Sequence, residues 1–190
     1  MADINIAIIG SVGVGKSTFI QKALGLRGLP NSSSSSTRMS VDNVVYTVSL
    51  IELDLESFDI IQDKRIQWPK QINGQITPRM DGALLLYDVM NRESIIELPQ
   101  TLSEFFKTCL HLMACPLLTI TDALVNSSLS TILVSCKCDN PENARQINVD
   151  NMEAACSSAV EAVKFASNVP ESARMCLSSM LRAIMAKRNG

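Results

Sequence analysis

Eight consecutive residues constrain this chain more than any others: Gly10-Ser11-Val12-Gly13-Val14-Gly15-Lys16-Ser17. They match the pattern G-x-x-x-x-G-K-[ST] in full. The apolar run Ile4-Asn5-Ile6-Ala7-Ile8-Ile9 precedes them and reads as a buried strand. Thr18-Phe19-Ile20-Gln21-Lys22-Ala23-Leu24 follows and reads as a helix opening. A strand feeding a glycine loop and then a helix N-terminus turns backbone N–H groups inward, where they attract phosphate oxygens. Ser11, Val12, Gly13, Val14, Gly15, Lys16, Ser17 and Thr18 therefore form a candidate phosphate cradle. Lys16 would reach the β- and γ-phosphates, and the Ser17 hydroxyl would coordinate Mg²⁺. The plainer alternative is a glycine-rich turn that carries a surface lysine.

The bulk composition suits one globular domain over residues 1–190, with 46% hydrophobic and 19% charged residues. A net charge of −2 gives no global attraction to nucleic acid or to an anionic membrane. No apolar run approaches the roughly 18 residues of a membrane span, and the first strand starts too early for a signal peptide. Six cysteines (109, 115, 136, 138, 156 and 176) are scattered rather than arranged as a framework. Cys136-x-Cys138 has neither a second close cysteine pair nor more than one histidine to complete a metal set, so reduced, buried thiols are expected. The expected compartment is cytoplasmic and the expected state monomeric.

Strand-like and helix-like segments alternate. The serine run Ser32–Ser36 and Thr37 cannot bury apolar surface, so 28–40 reads as a mobile loop. Residues 44–54 are rich in β-branched side chains, and Asp42-Asn43 before them suits a hairpin turn. Residues 55–80 read as polar and irregular, broken by Trp68-Pro69, Asn73-Gly74 and Thr77-Pro78. Residues 82–87 and 131–135 read as buried strands, 94–113 as a helix, and 119–129 as a short helix or a loop. Asp150 is expected to cap a helix to about Ala162, followed by a strand at 163–166 and a last helix at 170–187. This alternation implies an α/β fold with a mostly parallel, six-stranded sheet and helices on both faces. Ligands of such sheets bind at the carboxyl ends of the strands.

Three further motifs fall near such ends: Thr37, Asp54 closing an apolar strand, and Cys136-Lys137-Cys138-Asp139 closing another. Together with Gly10–Ser17 they resemble the Ras superfamily of small GTPases, a P-loop NTPase fold, in element order over nearly the whole chain. The resemblance implies that Thr37 closes over Mg²⁺ and the γ-phosphate, with Ser35 or Ser36 as alternatives in so loose a register. Asp54 would hold Mg²⁺ through water; its plainer reading is a strand-capping carboxylate. Lys137 and Asp139 resemble the guanine-specificity motif N/T-K-x-D. The carboxylate accepts two hydrogen bonds that adenine cannot offer, and the lysine stem packs along the base. The family's S-A-K segment falls near Ala166-Ser167-Asn168, where a backbone N–H can meet the guanine oxygen.

Departures from the family pattern matter as much. After Asp54 the family writes D-x-x-G-Q, whereas this chain has Ser57 and Phe58 in place of Gly and Gln. Phe58 cannot orient a water, and the glutamine carries much of the hydrolysis step in this family. Gln62, Gln67 or Gln71 could stand in for it. Val12 crowds the space for an arginine finger, and Cys136 replaces the family's asparagine, which should weaken base affinity. The single tryptophan, Trp68, is either an interface anchor or a side chain tucked over the sheet. The C-terminus lacks a prenylation cysteine and the N-terminus a myristoylation glycine, so no lipid anchor is expected. The chain starts at its first strand and stops with its last helix, as a domain excised from a larger protein also would. The implied function is a GTP/GDP-binding switch with weak or lost hydrolysis, meeting effectors or regulators through 28–40 and 55–80. Two alternatives stand beside it. One is a pseudo-GTPase interaction scaffold; the other, a P-loop kinase, leaves Lys137-x-Asp139 unexplained.

Overall fold

Alternating burial in strand β1 (Asp3–Gly10) shows how the layers are built. Ile4, Ile6 and Ile8 enter one hydrophobic cluster, while Ala7 and Ile9 enter another on the opposite face. A strand apolar on both sides belongs in the middle of a covered sheet, and β1 lies there. The computed structural model describes residues 3–61, 63–96, 116–156 and 160–189. With β2 (Ser34–Val41), β3 (Val44–Asp54), β8 (Gly82–Asp88), β9 (Ser130–Cys136) and β10 (Glu161–Lys164), β1 forms a six-stranded sheet in the order β10-β9-β8-β1-β3-β2. All neighbours are parallel except β2, which runs antiparallel to β3.

Helices α1 (Lys16–Leu24) and α4 (Pro170–Asn189) cover one face with Phe19, Ile20, Leu177, Met180 and Leu181. The other face is covered by α2 (Pro116–Asn126), α3 (Val149–Ala155) and part of the 55–80 segment. Helix α1 ends at Gly25, whose φ of 67° and N–H bond to the Lys22 carbonyl close the last turn. Helix α2 settles the choice at 119–129 in favour of a helix. Among the described residues no helix is long and apolar enough to cross a membrane.

Four expectations need correction. The serine run is not a loop throughout, because Ser34–Val41 forms the edge strand β2. Asp42 and Asn43 both take positive φ (50° and 64°), the geometry of a tight hairpin that sets the register. Strand pairing needs backbone only, and Ser36 Oγ lies 2.9 Å from Ser49 Oγ across it. Second, residues 55–80 are partly ordered into a 3-10 turn (Leu55–Ser57) and two small hairpins, β4–β5 (Asp59–Ile60, Ile66–Gln67) and β6–β7 (Gln71–Ile72, Gln75–Ile76). Buried Leu55, Phe58, Ile66 and Met80 anchor the segment, and Asn73 Nδ2 donates to Ser33 Oγ at 2.6 Å. Third, α3 stops at Ala155 and Asn148 rather than Asp150 caps it, accepting from the Asn151 N–H; Ala162 belongs to β10. Fourth, Arg92–Ile95 form a 3-10 turn where a helix was expected to begin. Most of that helix, together with Cys109 and Cys115, lies outside the described residues.

Candidate functional site

The glycine loop joins the carboxyl end of β1 to the N-terminus of α1. Gly13 and Gly15 hold φ of 78° and 113°, where side chains are strained, and a Cβ on either would meet nothing within 4 Å. Both positions are therefore unobstructed on the side a Cβ would occupy. Gly10 is different: a Cβ there would lie 2.8 Å from the Leu86 carbonyl oxygen and from Val14 Cγ1, so close packing excludes any other residue. Val14 points into the core, Val12 is 82% exposed at the loop's rim, and buried Ser11 Oγ donates to the Ser94 carbonyl at 3.3 Å.

Lys16 is buried but fully partnered. Its ammonium donates to the Gly10 and Ser11 carbonyls, each at 2.9 Å, and pairs with Asp54 Oδ1 at 2.7 Å. Asp54 stands opposite Gly10 at the end of β3, so strand register alone brings the two motifs together. Ser17 Oγ donates to both carboxylate oxygens of Glu52 at 3.0 Å. Glu52 was not foreseen: it lies two residues before Asp54, on the same face of β3 by strand alternation, inside what reads as a plain strand.

Ser17, Glu52 and Asp54 offer only oxygen donors, the set a hard divalent cation takes. Among the described residues no three His, Cys, Asp or Glu side chains converge as a metal cage.

Thr37 does not join this group. It pairs with Val48 in mid-strand, six residues before Asp54, or about 20 Å along β3 at roughly 3.3 Å per residue. Ser35 and Ser36, opposite Leu50 and Ser49, also lie back along the strand. The hairpin register withdraws these hydroxyls from the carboxyl end of β3, where Asp54 meets the glycine loop. Ser33 lies nearer, its carbonyl accepting from the Glu52 N–H at 2.7 Å. Phe58, which stands where the family has its glutamine, is a core residue. It is 3% exposed, packed in the core against half-buried Trp68 with ring centroids 5.9 Å apart. Trp68 is thus tucked over the sheet. Gln67 and Gln71 sit exposed in the small hairpins, and Gln62 lies outside the described residues.

The second motif emerges where β9 ends. Ser167 Oγ donates to Asp139 Oδ2 at 3.0 Å, which aims the exposed carboxylate. The Cys138 N–H donates to the Phe165 carbonyl, tying this loop to the one after β10. Ala166 N–H donates to Ser172 Oγ, which leaves the amides of Ser167 and Asn168 as candidates for a base oxygen. Cys136 is buried in the apolar cluster with Phe19 and Phe165, and burial pushes its thiol well above the ordinary range. Apolar packing holds the Cys136 side chain in place.

Lys137 pairs with Asp88, a residue sequence reasoning missed. Asp88 closes β8 opposite Cys136 and is nearly buried, its Oδ1 accepting from the Met90 N–H at 2.9 Å. The signal was legible, since Leu84-Leu85-Leu86-Tyr87-Asp88 is another apolar strand that ends in a carboxylate. No protein-family model matches the chain, and no curated protein matches it significantly.

Proposed function

We propose that this chain is a guanine-nucleotide-binding switch of the Ras-like, P-loop type whose GTP hydrolysis is weak or lost. One arrangement carries the proposal. A buried lysine at the glycine loop and a Ser167-aimed Asp139 stand at the same carboxyl end of the sheet, just past β1 and β9. Those strands are two spacings apart, about 10 Å, a gap that a nucleoside diphosphate can bridge. In this proposal the loop amides and Lys16 take the phosphates, and Ser17 and Asp54 hold Mg²⁺, with Glu52 beside them. Asp139 accepts from the guanine edge, while Lys137, steadied by Asp88, lies along the base. Weak hydrolysis is supported by Phe58 in the core and Thr37 back along the edge strand. A cytoplasmic, monomeric protein that meets regulators through 28–40 and 55–80 fits the same reading.

The scaffold alternative has one observation in its favour. Lys16 is already neutralised by Asp54 and two carbonyls, so a phosphate must displace existing bonds. One experiment separates the two readings. The purified protein is denatured and any released nucleotide identified; fresh protein is then loaded with GTP and Mg²⁺ and phosphate release followed. Bound guanine nucleotide with very slow release supports the switch. No bound nucleotide and no affinity for added GTP refutes it in favour of the scaffold, and rapid multiple-turnover release refutes the impaired hydrolysis.

A further inference from the structure

We infer that Arg145 is a positioning residue for base selectivity. It acts by clamping the loop that carries Asp139, and the inference rests on the guanine-binding reading above. The loop from Lys137 to Asn140 has to be held. Lys137 takes φ of 63°, a left-handed conformation that a residue with a side chain adopts at a cost. Such backbone persists where surrounding contacts over-determine it.

Arg145 supplies three of the contacts that hold this loop. Arg145 Nη2 donates to the Cys138 carbonyl at 2.9 Å and to the Asn140 carbonyl at 3.1 Å, and Nε donates to the Asn140 carbonyl at 3.2 Å. The two carbonyls flank Asp139 on either side in sequence. Asn140 completes the set, its N–H and Nδ2 both donating to the Lys137 carbonyl.

The clamp has a firm base. Gln146 and Ile147 N–H groups both donate to the Val89 carbonyl just beyond β8, and Ile147 is buried. The Arg145 side chain is only 13% exposed, and its acidic partner Glu142 is 3.6 Å away and largely in solvent. Removing the guanidinium would strand two carbonyls and free the backbone on both sides of Asp139. A lysine could keep the charge but not the planar fork that spans both acceptors. The glycine loop lies on β1, two strands away, and should not feel the change.

The test measures Mg²⁺-dependent affinities for GDP, ADP and pyrophosphate in wild-type protein, Arg145→Ala and Arg145→Lys. A thermal melt of each variant confirms folding, and Arg145→Lys carries the test if Arg145→Ala does not fold. The expected result is a loss of at least tenfold in GDP affinity for Arg145→Ala and a smaller loss for Arg145→Lys. Pyrophosphate affinity stays unchanged, so preference for GDP over ADP shrinks. A variant that keeps wild-type GDP-over-ADP preference, or loses GDP and pyrophosphate in equal proportion, overturns the inference about Arg145 alone. Wild-type protein that does not prefer GDP over ADP overturns the guanine reading and this inference with it.

Discussion

Replacing Phe58 with glutamine tests whether position 58 belongs to the chemistry or to the core. Motif alignment alone says that Phe58→Gln restores the water-orienting group and should raise GTP hydrolysis. The observed packing says otherwise. Phe58 is 3% exposed, forms a tilted ring pair with Trp68 at 5.9 Å, and shares a cluster with Leu55, Ile66 and Met80. Losing its burial costs about 1.5–3 kcal/mol, and losing the aromatic pair about 0.5–1.5 kcal/mol. Leaving the new amide without buried partners adds about 1–3 kcal/mol. These contributions overlap, and about 3 kcal/mol is the lower bound of their sum. For a domain of this size that lowers Tm by about 6–12 °C. The assay pairs a thermal melt, read by the fluorescence of the single tryptophan beside the mutation, with single-turnover phosphate release well below Tm. The expected outcome is a large loss of stability with release no faster than wild type. An unchanged Tm together with release accelerated about tenfold or more would refute the core assignment and return position 58 to the site.

Other consequences follow from the same geometry. Thr37→Ala should change Mg²⁺-dependent GDP and GTP affinity less than about twofold, since Thr37 sits mid-strand opposite Val48; a tenfold loss in equilibrium titration would contradict the register. Asp139→Asn should weaken GDP binding by about 1.5–3 kcal/mol, the worth of hydrogen bonds to a charged group, and leave pyrophosphate binding intact; Ser167→Ala should weaken it less, because only the aim of the carboxylate is lost. Burial pushes the Cys176 thiol up from 9.0 to about 12. Its stabilising effect is complete below pH 9 and is lost as pH rises toward 12, because the unfolded thiol ionises first. At most about 4 kcal/mol is at stake. Urea midpoints should fall as pH rises from 9 to 10.5, and less steeply in Cys176→Ala; buried Cys136 and Tyr87 act in the same direction.

Residues whose role is local were legible in the chain. The glycine loop needs positive φ at Gly13 and Gly15, and only certain residue types tolerate it. Strand β1 needs apolar side chains on both faces, and Ile4–Ile9 supplies them. Asp42-Asn43 announces its hairpin because those side chains tolerate left-handed backbone. The motif at Asp139 was legible for a similar reason, a carboxylate just past a buried strand. Tertiary structure decided what depends on register and on which face is covered. A serine run carries no apolar pattern, so nothing local says that it pairs along β3 and draws Thr37 away from the glycine loop. Phe58 reads equally well as a site residue or a core residue until the 55–80 segment folds over the sheet. Glu52, Asp88 and Arg145 meet their partners across strands and loops, at separations that short motifs do not span. Local preference names the loop and the strands; only the pairing of distant backbone determines which side chains arrive together.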